Sequence, residues 1–325
     1  MFSLSELERA ADVVHVHLSA TPQIAWPLLR KRIGAEVWVK HENHLPTGAF
    51  KVRGGVVFAE GYSRQERTSS DEAGGHRGRG LISATRGNHG QSLAWAGGHF
   101  GLPVVIVVPV GNSAEKNAAM AALGATLIEH GADFEEAREA AQRRAAAEDL
   151  VFVPSFAPDL VKGVASYALE LFRSAPPLDA VYVPIGLGSG ICGTILARDL
   201  LGLGTEVIGV QSVGADCYAR SFAAGCVVAG NRADTRADGI AVRQPDPEAL
   251  RIILGAAARV VTVEDAAIAE AIRVYWTDTH NLVEGAGAAP LAALIKEREV
   301  MRGKRVGLIA SGGNIDLALF RSWVG

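Results

Sequence analysis

Seven β-forming runs, spaced by helix-forming stretches, constrain this chain more than any other feature of it. They are "VWVK" at 37–40, "LISA" at 81–84, "VVIVVP" at 104–109, "LVFVP" at 150–154, "AVYVPI" at 180–185, "EVIGVQ" at 206–211 and "RVGLIA" at 305–310. Val, Ile and Tyr favour pleated strands, and runs that are apolar at nearly every position suit strands covered on both faces. The intervening "EKNAAMAALGA" and "DFEEAREAAQRRAAAEDL" are rich in strong helix formers, with the alanine and charge content of helices lying over a sheet. Alternation of the two predicts an α/β fold with largely parallel sheets and right-handed crossovers. With 325 residues, 49% of them hydrophobic, the chain can bury a sizeable core and is expected to form two lobes. One segment breaks the pattern: "SRQERTSSDEAGGHRGRG", 63–80, is polar and aperiodic, and is expected as a surface loop, with a lid as the functional alternative.

Charge excludes several partners. Lysine and arginine number 32 against 35 aspartates and glutamates, for a net charge of −3, and the two signs are interspersed. No basic footprint for nucleic acid or a membrane surface is present, so the expected partner is a small molecule. The amino-terminal "MFSLSELERAADVVHVHLSATP" carries acids and no long apolar run, which reads as neither a signal peptide nor an anchor, and a cytoplasmic location is expected. Cys192, Cys217 and Cys226 form no CxxC pair and are odd in number, against a disulfide framework or structural zinc; they are expected as small buried fillers.

Three loops at strand ends carry the chemistry, because open α/β sheets place ligands at the carboxyl ends of their strands. "PIGLGSGICGT", 184–194, precedes a helical run, and its glycines can turn backbone N–H groups toward a phosphate at the helix amino end. Its spacing is not the dinucleotide fingerprint and no Walker lysine follows; tight packing is the plain alternative. "SATRGNHGQS", 83–92, supplies Thr85, Arg86, Gly87, Asn88 and His89, polar groups suited to a carboxylate or a phenolic oxygen, with helix capping by Asn88 as the alternative. "ASGGNID", 310–316, puts Ser311 at the end of the last strand, where an N-cap is again the simpler use. In "HENHLPTGAFKVRGG", 41–55, Lys51 stands among apolar and glycine residues, an unusual setting for a lysine, although a solvated side chain remains the ordinary expectation. Together these would suit a phosphorylated aldehyde bound through a lysine amine, which is pyridoxal phosphate.

The ordered motifs "TGAFKVRGG", "RGNHGQS", "PIGLGSG", "ADGIAV", "EGAGAAPLAAL" and "ASGGN" resemble the serine/threonine dehydratase family of pyridoxal-phosphate enzymes, of the tryptophan-synthase-β fold group, over nearly the whole chain. The resemblance implies a large domain of 1–54 and 154–325, a small inserted domain of 55–153, and the cofactor in the cleft between them. It implies that Lys51 forms the covalent link and serves as general base. Asn88 would bond the ring oxygen, and Gly186, Leu187, Gly188, Ser189 and Gly190 the phosphate. Phe50 and Gly239 would sandwich the ring, and Ser311 would face its nitrogen. Thr85, Arg86, Gly87 and His89 are expected to line the substrate. The short "NIDLALFRSWVG" after "ASGG" leaves room for one helix, so no carboxyl-terminal regulatory domain is expected.

That resemblance points to a dehydratase, or ammonia-lyase, converting a β-hydroxy-α-amino acid to a 2-oxo acid and ammonia. Serine, threonine, 3-hydroxyaspartate and 3-phenylserine are the candidate substrates. A neutral Ser311 hydroxyl would leave the ring a weak electron sink and favour elimination over transamination. Arg86 departs from the small residue common before "GNH", and an always-protonated arginine is a poor proton exchanger, which disfavours racemisation. Gln211 and Cys217 stand where metal-activated relatives carry carboxylates, unless a one-residue shift brings in Asp216, so no metal site is expected. A β-replacement synthase, a racemase and a non-catalytic amino-acid-binding protein are the competing readings. The oligomeric state is not fixed by the sequence, and a homodimer is the expectation.

Overall fold

The computed structural model describes residues 1–73, 79–230 and 233–325, with the backbone alone over 66–73. Ten strands form two sheets: β1 (Gln23–Ala25), β2 (Glu36–His41), β3 (Leu81–Ala84), β4 (Val104–Val108), β5 (Thr126–Glu129), β6 (Val151–Phe152), β7 (Ala180–Pro184), β8 (Glu206–Ser212), β9 (Arg259–Val263) and β10 (Arg305–Ala310). The chain divides into two compact units.

The first unit comprises Met1–Glu8, Ser19–Phe50 and Val164–Gly325. Its six-stranded sheet has the order β1-β2-β10-β7-β8-β9, parallel throughout except for the antiparallel β1–β2 pair. Val37, Val39, Tyr182, Ile208, Val210 and Leu308 of the central strands pack with Leu291 and Leu294 of the helix Gly285–Lys296 in one buried cluster. The second unit, Arg9–Leu18 and Lys51–Gly163, holds an all-parallel sheet of order β5-β4-β3-β6. Alternate side chains of its central strands enter different cores. Leu81, Ile106 and Val108 join Leu93 and Met120, whereas Ile82, Ala84 and Val107 join Ala137 and Ala141. That two-sided coverage is what continuous apolar runs in "LISA" and "VVIVV" call for.

The fold is the α/β arrangement with largely parallel sheets that the alternation predicts. Three strands escaped the sequence reading: β1, β5 and β9, each at a sheet edge. An edge strand is covered less completely, so "QIA" and "TLIE" are short and partly exposed and lack the continuous apolar signal. The loop expected over 63–80 is corrected in part, because the helix Lys51–Ala73 runs through its first half. Arg64, Gln65, Glu66 and Arg67 are good helix formers, and an established helix propagates into them at little cost; an i,i+4 ion pair of Glu60 with Arg64 adds to this. Residues 74–78, and with them the lid reading, lie outside the described residues. Cys192 and Cys217 are buried, but Cys226 is exposed, on the turn beyond the Gly225 cap of the helix Cys217–Ala224.

Candidate active site

In the second unit the glycines around Lys51 have a packing function. A Cβ on Gly54 would lie 2.7 Å from the Leu160 carbonyl oxygen, and one on Gly55 2.3 Å from Ser92 Oγ. On the facing helix Pro158–Ser174, a Cβ on Gly163 would meet the Arg53 carbonyl oxygen at 2.4 Å. The first turn of Lys51–Ala73 is therefore pressed between two helices, and the Ser92 hydroxyl also donates to the Lys51 carbonyl at 2.7 Å. Burial in this setting lowers the Lys51 amine from 10.5 to about 8, since desolvation disfavours the cation. The amine is thus poised as a nucleophile and base near neutral pH.

The turn after β3 sits in the same unit. Gly87 occupies the cap position of the helix Asn88–Phe100, with no side-chain cap, so capping is not the use made of Asn88. The Gly87 N–H donates to Thr85 Oγ1 at 3.1 Å, and Asn112 Nδ2 donates to the Arg86 carbonyl at 3.2 Å. His89 is 4% exposed. Burial, with the Lys51 charge adding to it, lowers its pKa to about 3, against a hydrogen bond to the Val153 backbone that works the other way. The ring is neutral at physiological pH, and its Nε2 has no hydrogen-bond partner among the described residues. Arg86 is exposed.

The first unit gathers the remaining candidates. The glycine loop after β7 enters the helix Ser189–Leu200 through Gly188 at φ +103°, a left-handed backbone that favours glycine. The first N–H groups of that helix lack intrahelical acceptors and can receive an anion. Gly186 lies against Gly239, whose carbonyl oxygen would be 2.5 Å from an added Cβ. The ring of Phe50 stands 3.7 Å from the Cβ position of Gly190 and meets the Tyr167 ring edge-on at 6.1 Å. Tyr167 in turn donates its hydroxyl to the Gly190 carbonyl at 2.8 Å. The Phe50 N–H donates to the Ser311 carbonyl at 3.0 Å, which ties the residue before Lys51 to the end of β10. Ser311 is 3% exposed, caps no helix, and its hydroxyl has no hydrogen bond among the described residues.

Two of these contributors were not found from sequence. Tyr167 is an isolated aromatic in a helix whose apolar face explains it equally well. Glu284 lies within the quoted "EGAGAAPLAAL", yet its place, 3% exposed with Oε1 at 2.6 Å from the Cβ position of Gly312, depends on the approach of β10. A carboxylate opening an apolar glycine-alanine segment was the available signal. At the position considered for a metal, Gln211 Nε2 donates to Cys217 Sγ at 3.9 Å and its Oε1 accepts the Ala219 N–H at 3.0 Å. The thiol donates onward to the Val242 carbonyl at 3.4 Å. Asp216 is committed to Arg220 at 3.0 Å, and no cluster of three or more metal-binding side chains occurs among the described residues.

The first unit thus offers a buried Ser311 hydroxyl without a hydrogen bond among the described residues and a helix amino end suited to a phosphate, and the second a lysine amine lowered toward neutrality and a buried His89 nitrogen without a partner among the described residues, groups of the kinds that the polar atoms of pyridoxal phosphate call for. This defines an α/β enzyme of the pyridoxal-phosphate type. The family described as pyridoxal-phosphate dependent enzyme matches residues 14–312, and the chain belongs to it. It is 32% identical over 318 residues to the L-threonine ammonia-lyase of Thermotoga maritima, covering 98% of this chain and 77% of that protein. It is 30% identical to an L-threo-3-hydroxyaspartate ammonia-lyase of a Pseudomonas species, over 98% of both chains. Among solved structures, the processed form of threonine deaminase isoform 2 from Solanum lycopersicum superposes with a TM-score of 0.86 at 26% identity, covering 99% of this chain and 93% of that one.

Proposed function

We propose that the protein is a dehydratase that converts a β-hydroxy-α-amino acid to a 2-oxo acid and ammonia. The observation that carries this reading is Lys51, an amine lowered to about 8 by burial at the head of a tightly packed helix. The ammonia-lyase names of relatives at about the same identity over the whole chain support elimination as the reaction.

Pyridoxal phosphate, when bound, supplies the electron sink that makes the substrate α-proton acidic. Lys51 would hold it covalently, the backbone N–H groups of residues 186–190 would take the phosphate, Asn88 would meet the ring oxygen and Ser311 the ring nitrogen, and Phe50 and Gly239 would cover the ring. Nζ of Lys51 would be the base that removes the α-proton. A hydroxyl rather than a carboxylate at Ser311 would hold no proton at the ring nitrogen, which would favour loss of the β-hydroxyl as water over transamination. The enamine so released takes up one water and yields the 2-oxo acid and ammonia. His89, neutral and directed by its bond to Val153, presents Nε2 as an acceptor to a substrate or cofactor N–H or O–H. Thr85 and Gly87 shape the same turn through their mutual hydrogen bond.

We read the first unit as the cofactor-binding domain and the second as the smaller domain. We place the enzyme in the cytoplasm, acting on a small amino acid with neither nucleic acid nor membrane as partner. The interspersed charge and net −3 support this. No helix among the described residues is long and apolar enough to cross a membrane. Homodimerisation is an expectation that light scattering would decide.

The test is a panel of serine, threonine, 3-hydroxyaspartate and 3-phenylserine assayed for 2-oxo acid and ammonia in equal amounts. No 2-oxo acid from any of them would overturn the reading. Capture of an added thiol in preference to elimination would instead favour a β-replacement synthase.

A further inference from the structure

We infer that Tyr218 and Tyr167 are positioning residues of the cofactor site, their buried hydroxyls holding two peptide planes of the glycine loop so that its N–H groups face a phosphate. This rests on the reading of residues 186–190 as the phosphate loop, and every residue involved lies in the first unit.

Glycines at 186, 188 and 190 give the loop more backbone freedom than other residues would, and a loop that is ordered only on binding gives up affinity. The Cys192 N–H bonds to the Gly188 carbonyl at 2.9 Å and opens the hydrogen bonding of the helix Ser189–Leu200. The N–H groups of Gly188 and Ile191 come before it, find no backbone acceptor among the described residues, and are available to an anion. In a trans peptide the C=O of one residue and the N–H of the next point in opposite directions, and no cis bond occurs among the described residues. Holding the Leu187 carbonyl therefore aims the Gly188 N–H, and holding the Gly190 carbonyl aims the Ile191 N–H. The Tyr218 hydroxyl donates to the Leu187 carbonyl at 2.9 Å, a carbonyl that receives no backbone N–H among the described residues. The same phenol oxygen accepts the Asp246 N–H at 3.0 Å, and Asp246 caps the helix Pro247–Ala256 by accepting the Glu248 and Ala249 N–H groups at 3.0 Å each. Both the donor and the acceptor side of the phenol are thus set. The Gly190 carbonyl receives the Tyr167 hydroxyl at 2.8 Å and the Thr194 hydroxyl at 2.9 Å. Both tyrosines are fully buried, and burial raises the Tyr218 pKa, so that its hydroxyl stays a protonated donor. A Cβ on Gly188 would stand 3.3 Å from the Tyr218 oxygen, and one on Gly190 3.3 Å from the Tyr167 oxygen. Glycine at these two positions is what lets the phenols reach the backbone.

The experiment compares pyridoxal phosphate with pyridoxal, which has the same ring and aldehyde but no phosphate, by equilibrium dialysis against the full chain freed of cofactor. Wild type, Tyr218→Phe, Tyr167→Phe and the double variant Tyr167→Phe/Thr194→Val are measured. Wild type should prefer pyridoxal phosphate, and that preference should fall by ~5- to 30-fold in Tyr218→Phe, the worth of one buried hydrogen bond, with pyridoxal binding unchanged. Tyr167→Phe should lose less, because the Thr194 hydroxyl stays on the Gly190 carbonyl, and the double variant should lose as much as Tyr218→Phe. If Tyr218→Phe does not fold, the double variant decides. An unchanged preference, or equal losses on pyridoxal phosphate and pyridoxal, would overturn the inference. A wild type that binds both ligands alike would overturn the phosphate-loop reading and the inference with it. If no substrate yields 2-oxo acid while the preference falls as expected, the dehydratase reading fails and the role of the two tyrosines stands.

Discussion

Replacing Lys51 by methionine should stabilise the cofactor-free protein at neutral pH and remove part of its pH dependence. In the folded state the amine is lowered from 10.5 to about 8 by burial. The unfolded chain keeps its proton up to the higher value, whereas the folded chain gives it up near the lower one. Between them the unfolded state binds more protons, so stability rises with pH across that window and is lost as pH falls through about 8. Fully buried, the group would destabilise the protein below the window by about 3 kcal/mol, at ~1.4 kcal/mol per pH unit. Lys51 retains partial exposure, and solvent screening reduces the expected effect to about 1–2 kcal/mol. Methionine preserves an unbranched stem and carries no charge to desolvate, and it removes a cation from a helix amino end, where the dipole disfavours it. The assay is urea unfolding of both cofactor-free proteins at about pH 7, 9 and 10.5, read as midpoints at unchanged slope. The variant should lead at pH 7 and the two should converge at the highest pH. A gap that is constant with pH, or a wild type that leads at neutrality, would refute the buried-amine argument. Loaded with cofactor, the same variant should show neither covalent attachment nor turnover.

Gly55→Ala should cost about 1–3 kcal/mol by overpacking, since the new Cβ would meet Ser92 Oγ at 2.3 Å; a melting temperature unchanged from wild type would mean the two helices separate freely. Trp323→Ala should cost about 3–5 kcal/mol, because Trp323 is 4% exposed, lies 3.0 Å from the Cβ position of Gly285 and sits under the Arg236 guanidinium at 5.6 Å. Cofactor titration should also weaken in that variant, as Gly285 abuts Ala237 in the segment that leads to Gly239. A chelator should leave turnover unchanged, because Gln211 and Cys217 satisfy each other and their neighbours with neutral hydrogen bonds; loss of activity restored by magnesium would show that a cation site exists.

Fold class, seven of the ten strands and the glycine loops were legible along the chain, because each is a local matter: a short apolar run, a helix former, or a turn residue before a helix. Asn88, residues 186–190 and Ser311 were proposed as cofactor residues for the same reason, each lying in a contiguous motif just after a strand, whereas Phe50, Lys51 and Gly239 rested on the resemblance. Edge position hid β1, β5 and β9, which lack the two-sided burial of the central strands; β6, also at an edge, was found because it lies in the apolar run "LVFVP". Composition misled at 63–73, where helix continuation from Lys51 outweighed a polar, aperiodic sequence. What Gly54, Gly55 and Gly163 are for could not be read locally; only the meeting of three helix segments distant in sequence shows that no Cβ fits there. The partners of Gln211, Cys217 and Asp216 could not be read locally either; the Asp216–Arg220 pair and the thiol bond to Val242 appear only in the fold. Sequence alone determined which chemistry the chain can offer, because side-chain type and local spacing are written in order. Tertiary structure decided which groups that chemistry finds uncommitted, because burial, pairing and close approach belong to segments that meet only after folding.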